Sequence, residues 1–519
     1  MWAFLDVKSS DGSTLFWGLI LGAAVAWPLL LAVYRLFFSP LAAIPGPKLA
    51  AATAWYEFYW DCPKQGHYMF KIEQMHQKYG PIVRINPWEV HIKDTAYWDT
   101  LYTNNKLDKD AWYYRAFGDN LGTVGTGPWE LHRLRRGAMA RFFSNANVSR
   151  LEPKVLARVK KLLERIEEHR ISNKVIPISH AFRCYATDVI SDYAAPHSRD
   201  FLSTPDFSAA FNQVLRDFSE LMLWQRHIPI VFPVLGAIPR WFISLMDPSG
   251  AQIAVLDNQA ALLNQAKTVI ATKGIPSEKE SPTVLDAIYQ SDLLGPEDKT
   301  LHRMMAETQA ILGAGTETTG NTLSTLVYHV LSNPTILQIL KAELNAAGKG
   351  KGDSDLLDFK ILDKRPYLQA CIKEALRLAV GVVGRLPRVN PIAPMSYTTP
   401  TGKAYVFPPK TVVSMSIRDM HTDDNIFHNP HSFWPERWIT SSIDQLKQME
   451  KAYAPFGRGV RACLGVELAK EELTLMAGNL FYRFDFDLFE TTERDISILH
   501  DYFAPFGPKE SEGVRVTAR

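Results

Sequence analysis

From residue 12 to residue 34 the chain carries no charged side chain and consists mainly of Leu, Ala, Val, Ile, Phe and Trp. Wound as an α-helix, this stretch extends roughly 35 Å, enough to cross the hydrocarbon core of a bilayer once. That feature divides the chain into an anchor and a body. A cleaved secretory leader is the rival, with a candidate cleavage site at Ala24-Val25-Ala26, but Asp6 and Asp11 stand against Lys8 where leaders carry net positive charge. Beyond the span, Arg35 and Lys48 precede the first acid, Glu57, and this bias predicts a cytosolic body. Ser39-Pro40 and Ile44-Pro45-Gly46-Pro47 disfavour helix, so residues 39–60 are expected to form a proline-rich elbow between an anchor at 1–38 and the body at 61–519.

The 519 residues are 46% hydrophobic and 22% charged, the balance of a chain with a sizeable core, which excludes wholesale disorder and a polytopic membrane bundle. Lys plus Arg number 57 against 55 for Asp plus Glu, so bulk charge points to no nucleic-acid partner. The four cysteines, Cys62, Cys184, Cys371 and Cys463, include no C-x-x-C pair and suggest neither a disulfide scaffold nor a zinc knuckle. Apolar residues three and four apart dominate the body, and short alternating runs such as Thr411-Val412-Val413-Ser414-Met415 are few, so the fold class is mainly α with small β-sheets.

The longest helical pattern runs over 296–332, from Pro296 to the Asn333-Pro334 stop. Gly313, Gly315 and Gly320 lie inside it, each costing about 1 kcal/mol relative to Ala. Ala310, Ala314 and Thr318 share one face at i, i+4 and i+8. Such a face can receive a flat ligand or another helix, and an acid, Glu317, beside the Thr318 hydroxyl favours the ligand.

Near the C-terminus stands Phe456-Gly457-Arg458-Gly459-Val460-Arg461-Ala462-Cys463-Leu464-Gly465, followed by a helical pattern over 466–484. A cysteine at a helix start meets free backbone N–H groups and a positive helix end, which favour its thiolate and make it a credible metal ligand. One thiolate with no neighbouring ligand suits haem iron and not zinc. The same run contains Gly457-x-Gly459-x-x-Ala462, superficially a dinucleotide fingerprint, but Glu450-Lys451-Ala452-Tyr453-Ala454-Pro455 before it is no buried strand. No H-E-x-x-H, Walker-type loop or G-x-S-x-G elbow offers another chemistry.

Residues 456–465 resemble the F-x-x-G-x-R-x-C-x-G signature of the cytochrome P-450 (haem-thiolate monooxygenase) family. Ala314-Gly315-Thr316-Glu317-Thr318 resembles its oxygen-activating segment, Glu374-Ala375-Leu376-Arg377 its E-x-x-R, Pro435-Glu436-Arg437-Trp438 its P-E-R segment and Trp129-Glu130-Leu131-His132-Arg133 its W-x-x-x-R. The motifs fall in the family's order. The anchor and elbow resemble the microsomal type, and several phrases, Gly384-Arg385-Leu386-Pro387-Arg388 and His500-Asp501-Tyr502-Phe503 among them, are similar to filamentous-fungal secondary-metabolism members of the trichodiene oxygenase kind.

The resemblance implies a cytochrome P-450 fold preceded by one transmembrane helix, with 61–519 as the haem-thiolate catalytic domain. It implies haem b (iron protoporphyrin IX), with Cys463 as iron ligand and Trp129, Arg133, Ala314, Arg388, Phe456, Arg461 and Gly465 as further cofactor-binding residues. Glu317 and Thr318 are the implied catalytic pair, a proton relay and hydrogen-bond partner beside a glycine-softened helix. Glu374, Arg377 and Arg437 are expected to form a structural triad. The implied reaction inserts one oxygen of O2 into an apolar small molecule, a fungal secondary metabolite of terpenoid or polyketide type. Electrons come from NADPH through a membrane reductase, with cytochrome b5 as a second donor, at the endoplasmic reticulum membrane with the body cytosolic. Arg133, Arg135 and Arg136 are expected on the reductase-docking face, and 113–126, 211–233, 380–386 and 502–506 around the substrate. Two alternatives stand beside this reading: a rearrangement or dehydration without O2, and a non-catalytic haem protein.

Overall fold

Helices dominate the computed structural model, which describes residues 10–103, 106–118, 120–246, 251–276, 281–352 and 355–519. Leu301–Leu331 runs through the centre of the body and packs against Ile178–Ala194, Ala251–Ala271, Pro366–Ala379 and Val466–Arg483. Phe182, Leu323, Val327, Leu368 and Leu475, one or two from each of four of these helices, belong to the main apolar core.

The long helix starts later than its sequence pattern suggests. Pro296–Lys299 forms a separate 3-10 turn and Thr300 is extended. The cause is Asp298, buried and bonded to Arg135, which turns the chain before the helix begins. From Leu301 the helix is unbroken to Leu331, with no break or 3-10 turn at its glycines. Two of those glycines serve close packing instead: a Cβ at Gly315 would lie 2.8 Å from Ile190, and one at Gly320 2.7 Å from Arg183, whereas Gly313 has open space.

A five-stranded sheet has the spatial order Ile82–Arg84, Glu89–Ile92, Val412–Ser414, Arg388–Val389, Asp108–Lys109. Glu89–Ile92 pairs parallel with Val412–Ser414, and the other pairings are antiparallel. Its register sets Lys109 directly opposite Arg388. Three two-stranded sheets complete the β-structure among the described residues.

The N-terminal helix Ser10–Val33 continues through a π-helical turn, Tyr34–Phe38. Residues Phe16–Phe38, with mean hydropathy 2.1 and no buried residue, are long and apolar enough to cross a membrane, consistent with an anchor. Of the expected elbow, 39–47 and the two-residue link 53–54 lack helix, and Lys48–Ala52 and Trp55–Asp61 are helical once the prolines are passed. Nor is the junction loose. Arg84 donates through Nη1 to the Arg35 carbonyl at 2.8 Å and through Nη2 to Pro87, Arg35 donates to the Ala52 carbonyl at 2.8 Å, and Gly46 lies so close to the Arg84 backbone that a Cβ would meet its carbonyl at 2.5 Å.

Candidate active site

The cysteine loop is shaped by two glycines in left-handed backbone, Gly457 at φ 66° and Gly459 at φ 72°. Gly459 also abuts the Tyr102 carbonyl, where a Cβ would have 2.2 Å. The Cys463 N–H donates to the Phe456 carbonyl at 2.8 Å, closing the loop, and Arg136 Nη1 holds the Ala462 carbonyl at 2.7 Å. Helix begins only at Val466. The Cys463 side chain is exposed on one side and enclosed by protein elsewhere. This enclosure pushes its thiol up, opposed by the Gly465 N–H and Arg136, a direction opposite to the one expected from the helix start alone. A bound metal would reverse that balance by deprotonating the thiol outright.

Behind this loop, Glu374, Arg377 and Arg437 are almost entirely buried. Glu374 accepts from Arg377 Nε (2.9 Å) and Nη2 (2.8 Å), Arg437 Nε (3.0 Å), Trp438 Nε1 (2.9 Å) and the Trp434 N–H (3.1 Å). The spare N–H groups of Arg377 and Arg437 donate to the carbonyls of His421, Pro430 and His428. His421 joins this cluster to the cysteine loop: its Nε2 accepts from the Ala454 N–H at 3.0 Å, which leaves Nδ1–H to donate to the Arg377 carbonyl at 2.9 Å. Burial first and Arg377 second push His421 down to about 3, so it is neutral in this role.

In front of the loop lies a different set. Arg461 donates to the carbonyls of Thr126 (2.9 Å) and Gly127 (2.6 Å), but its buried Nε has no partner. The buried Trp129 Nε1 is likewise unpartnered, Arg133 is exposed and stacks over the Trp129 ring, and Arg388 makes only bonds of 3.1 to 3.4 Å to two carbonyls and Tyr114. Lys109 stands opposite Arg388, a like-charge pairing that a sheet ordinarily avoids. Burial together with Arg388 and Arg461 drives Lys109 well below its usual value, and His132 falls to about 2 through burial and then Arg461, Lys109, Arg136 and Arg388. Free donors and facing cations at one place fit a group bearing carboxylates.

On the long helix, Ala314 is exposed although the helix crosses the core, and Thr318 Oγ1 donates to the Ala314 carbonyl at 2.8 Å. Glu317 points elsewhere. It is buried and bidentate on Arg183, Nε to Oε2 at 2.7 Å and Nη2 to Oε1 at 2.8 Å, because adjacent helical residues diverge by about 100°. The four stretches expected around a substrate contact one another, and one of them reaches Thr318: Arg115 Nε donates to the Arg226 carbonyl at 2.6 Å, the Phe117 and Phe503 rings stand edge to face at 4.8 Å, Val383 and Gly384 donate to the Phe503 carbonyl, and a Cβ at Gly381 would lie 3.4 Å from Thr318.

The structure thus gathers Trp129, Arg133, Arg388 and Arg461 into one group, puts Phe456, Cys463 and Gly465 on the loop, and Ala314 and Thr318 on one helix face. It removes Arg135 from any docking surface, since that side chain is buried on Asp298 at 2.6 Å. Lys109, Tyr114 and His132 adjoin the cation group; His132 sits inside the W-x-x-x-R segment as its unassigned residue, whereas no motif announces Lys109, which the sheet register places there.

The sequence profile of the family described as Cytochrome P450 matches residues 53–504. Among curated relatives, "Cytochrome P450 monooxygenase sdnE" of Sordaria araneosa is 39% identical over 93% of this chain and 94% of its own length. "Tryptophan 6-hydroxylase fscE" of Fusarium equiseti is 35% identical over 94% of each chain, and "Cytochrome P450 monooxygenase TRI4" of Trichoderma arundinaceum 35% over 92% and 91%. A solved structure, "Retinoic acid bound cyanobacterial CYP120A1", has the same fold at a TM-score of 0.64 and 21% identity, covering 86% of this chain and 93% of that one. Such membership implies haem b, which the unpartnered donors and facing cations fit, and the usual electron source of NADPH through a reductase. The chain belongs to the cytochrome P450 family and is a haem-dependent monooxygenase of the kind found in fungal secondary metabolism.

Proposed function

We propose that the chain oxygenates an apolar fungal secondary metabolite of terpenoid or polyketide type, with electrons from NADPH through a membrane reductase and cytochrome b5 as a second donor. The anchor, 1–38, holds the catalytic domain, 61–519, on the cytosolic face of the endoplasmic reticulum. The observation that carries this reading is an exposed cysteine beside a cation group that lacks sufficient acids of its own.

In this reading Cys463 would bind the iron, Ala314 and Phe456 would contact the macrocycle, and Gly465 would leave the sulfur unobstructed. Trp129, Arg133, Arg388 and Arg461, joined by Lys109, hold the two propionates. When bound, haem supplies a thiolate-ligated iron for O2 activation. Thr318 presents a hydroxyl that can exchange its Ala314 carbonyl for a water or a distal ligand. Glu317 supplies protons to that water when Arg183 releases it, and until then the pair keeps the acid away from Thr318. The four contacting stretches exclude bulk water and hold the apolar substrate.

The test is a reduced carbon-monoxide difference spectrum of the intact protein, then reductase-dependent turnover on terpenoids and polyketides. Cys463→Ala should abolish the thiolate-type spectrum. Thr318→Ala should keep haem and substrate-induced shifts while product per NADPH falls and peroxide rises. Unchanged coupling in both Thr318→Ala and Glu317→Gln would overturn the relay, and product formed without consumption of NADPH or O2 would replace this reading with a rearrangement.

A further inference from the structure

A second group of buried charges lies beside the cysteine loop and takes no part in the haem site. Arg135, Asp298, Arg303 and Glu307 are each more than nine-tenths buried. Asp298 Oδ1 accepts from Arg135 Nε at 2.8 Å and Nη2 at 2.6 Å and lies 3.6 Å from Arg303 Nε. Glu307 pairs with Arg303 one helical turn before it, and its Oε2 accepts from the Thr123 N–H at 3.0 Å and Oγ1 at 2.7 Å. Arg303 Nη2 donates to the same Thr123 hydroxyl at 3.3 Å. Arg135 Nη1 donates to the Asn120 carbonyl and, at 2.7 Å, to Thr126 Oγ1.

These bonds converge on one short loop, 120–127, which lies against the long helix; a Cβ at Gly122 would be 3.5 Å from the Ala306 carbonyl. The carbonyls that fix Arg461, those of Thr126 and Gly127, belong to the same loop. An apolar cluster of equal volume would bind the loop about as strongly, because desolvating four charged groups offsets much of their mutual attraction. What directed, charge-assisted bonds add is a single register.

We propose that Glu307, acting through Thr123, is a positioning residue that latches loop 120–127 onto the long helix, fixing Arg461 and limiting access to the site beside Ala314. The proposal rests on the haem reading only for what the loop covers. Opening breaks the Thr123 bonds and frees the Arg461 carbonyl partners together, so loop motion and site access are coupled.

The test uses the full-length holoenzyme, with imidazole as the small ligand whose entry is timed. Glu307→Gln keeps the volume and removes the charge. Hydrogen–deuterium exchange over 120–127 should accelerate about tenfold or more, the factor for losing one hydrogen bond to a charged group, while Pro366–Ala379 exchanges as before. Imidazole should associate faster, with the carbon-monoxide spectrum retained. Thr123→Ser, which keeps the hydroxyl, should match the parent, and Thr123→Val should exchange faster. Parent-like exchange in Glu307→Gln, or equal rates in the two Thr123 variants, overturns the latch. If Glu307→Gln does not fold, the Thr123 pair decides on the same readouts. Retention of the thiolate-type carbon-monoxide spectrum in Cys463→Ala with an unchanged loop signal overturns the haem reading alone and leaves the latch standing.

Discussion

Two arginine clusters flank the cysteine loop, and they are built on opposite principles. Behind the loop, Glu374 accepts five hydrogen bonds, from Arg377, Arg437, Trp434 and Trp438, and the remaining guanidinium groups are taken up by carbonyls. In front of it, Lys109 faces Arg388 and donates to the Val124 carbonyl at 2.6 Å, Arg388 and Arg461 bond only carbonyls and a tyrosine, and Arg461 Nε and Trp129 Nε1 are left without a partner. The closed cluster is the more buried, Lys109 and Arg461 being half-buried, but Arg388 is buried too, so burial alone does not distinguish structure from site. The balance between donors and acceptors does: a cluster closed within the chain supports the fold, and one left open awaits a partner.

The sharpest way to break this contrast is to open the closed cluster. Glu374→Gln leaves Arg377 and Arg437 without their carboxylate and should cost about 3 to 5 kcal/mol, with loss of holoprotein in thermal unfolding and in the carbon-monoxide spectrum. A variant that unfolds at the parent temperature would refute the structural role. Arg388→Met should do the reverse in the open cluster. Relieved of the Lys109 pairing, the apoprotein should be unchanged or more stable, while haem binding weakens by about 1.5 to 3 kcal/mol; haem titration and apoprotein denaturation measure the two signs separately.

A smaller effect appears with pH. Folded His132 stays neutral down to about pH 2, whereas an unfolded imidazole gains a proton below its usual 6.5. Between those limits the unfolded chain binds more protons, so stability rises with pH and is lost on acidification. His132→Gln should flatten that slope in apoprotein denaturation curves taken between about pH 5 and about pH 7. Carboxylates held in the open cluster should flatten it too, and His421, lowered chiefly by burial, should not respond to them. Least affected should be Arg133→Ala: the residue is exposed, and its unfolding free energy should move by no more than about 0.5 kcal/mol, even where haem affinity falls.

How far the sequence disclosed all this follows from distance along the chain. Glu374 and Arg377 are three residues apart on a helix, and Cys463 sits in a ten-residue frame, so both are legible from local periodicity and motif. Lys109 reaches Arg388 through strand pairing across more than half of the body, and Arg183 reaches Glu317 through helix packing, and neither contact has a local signature. The same limit explains the glycines of the long helix. Their spacing suits a flat ligand or a neighbouring helix equally, and Ile190 and Arg183, which decide for the helix at Gly315 and Gly320, lie more than a hundred residues away. The start of that helix departs from the local pattern for a related reason: Pro296 favours a first turn, but Asp298 is claimed by the distant Arg135.

The unbroken course of Leu301–Leu331 has a mechanical consequence. Over roughly 45 Å it behaves as a stiff beam with loads applied at separate stations: Arg303 and Glu307 near one end, Ala314 to Thr318 at mid-span, and the His329 ring stacked on Phe433 near the other. A helix with a glycine hinge would absorb a displacement between stations. Here Gly313 and Gly315 lie between Glu307 and Thr318 without breaking the helix, and Ile190 packs against Gly315, so the side chains on either side share one helix axis.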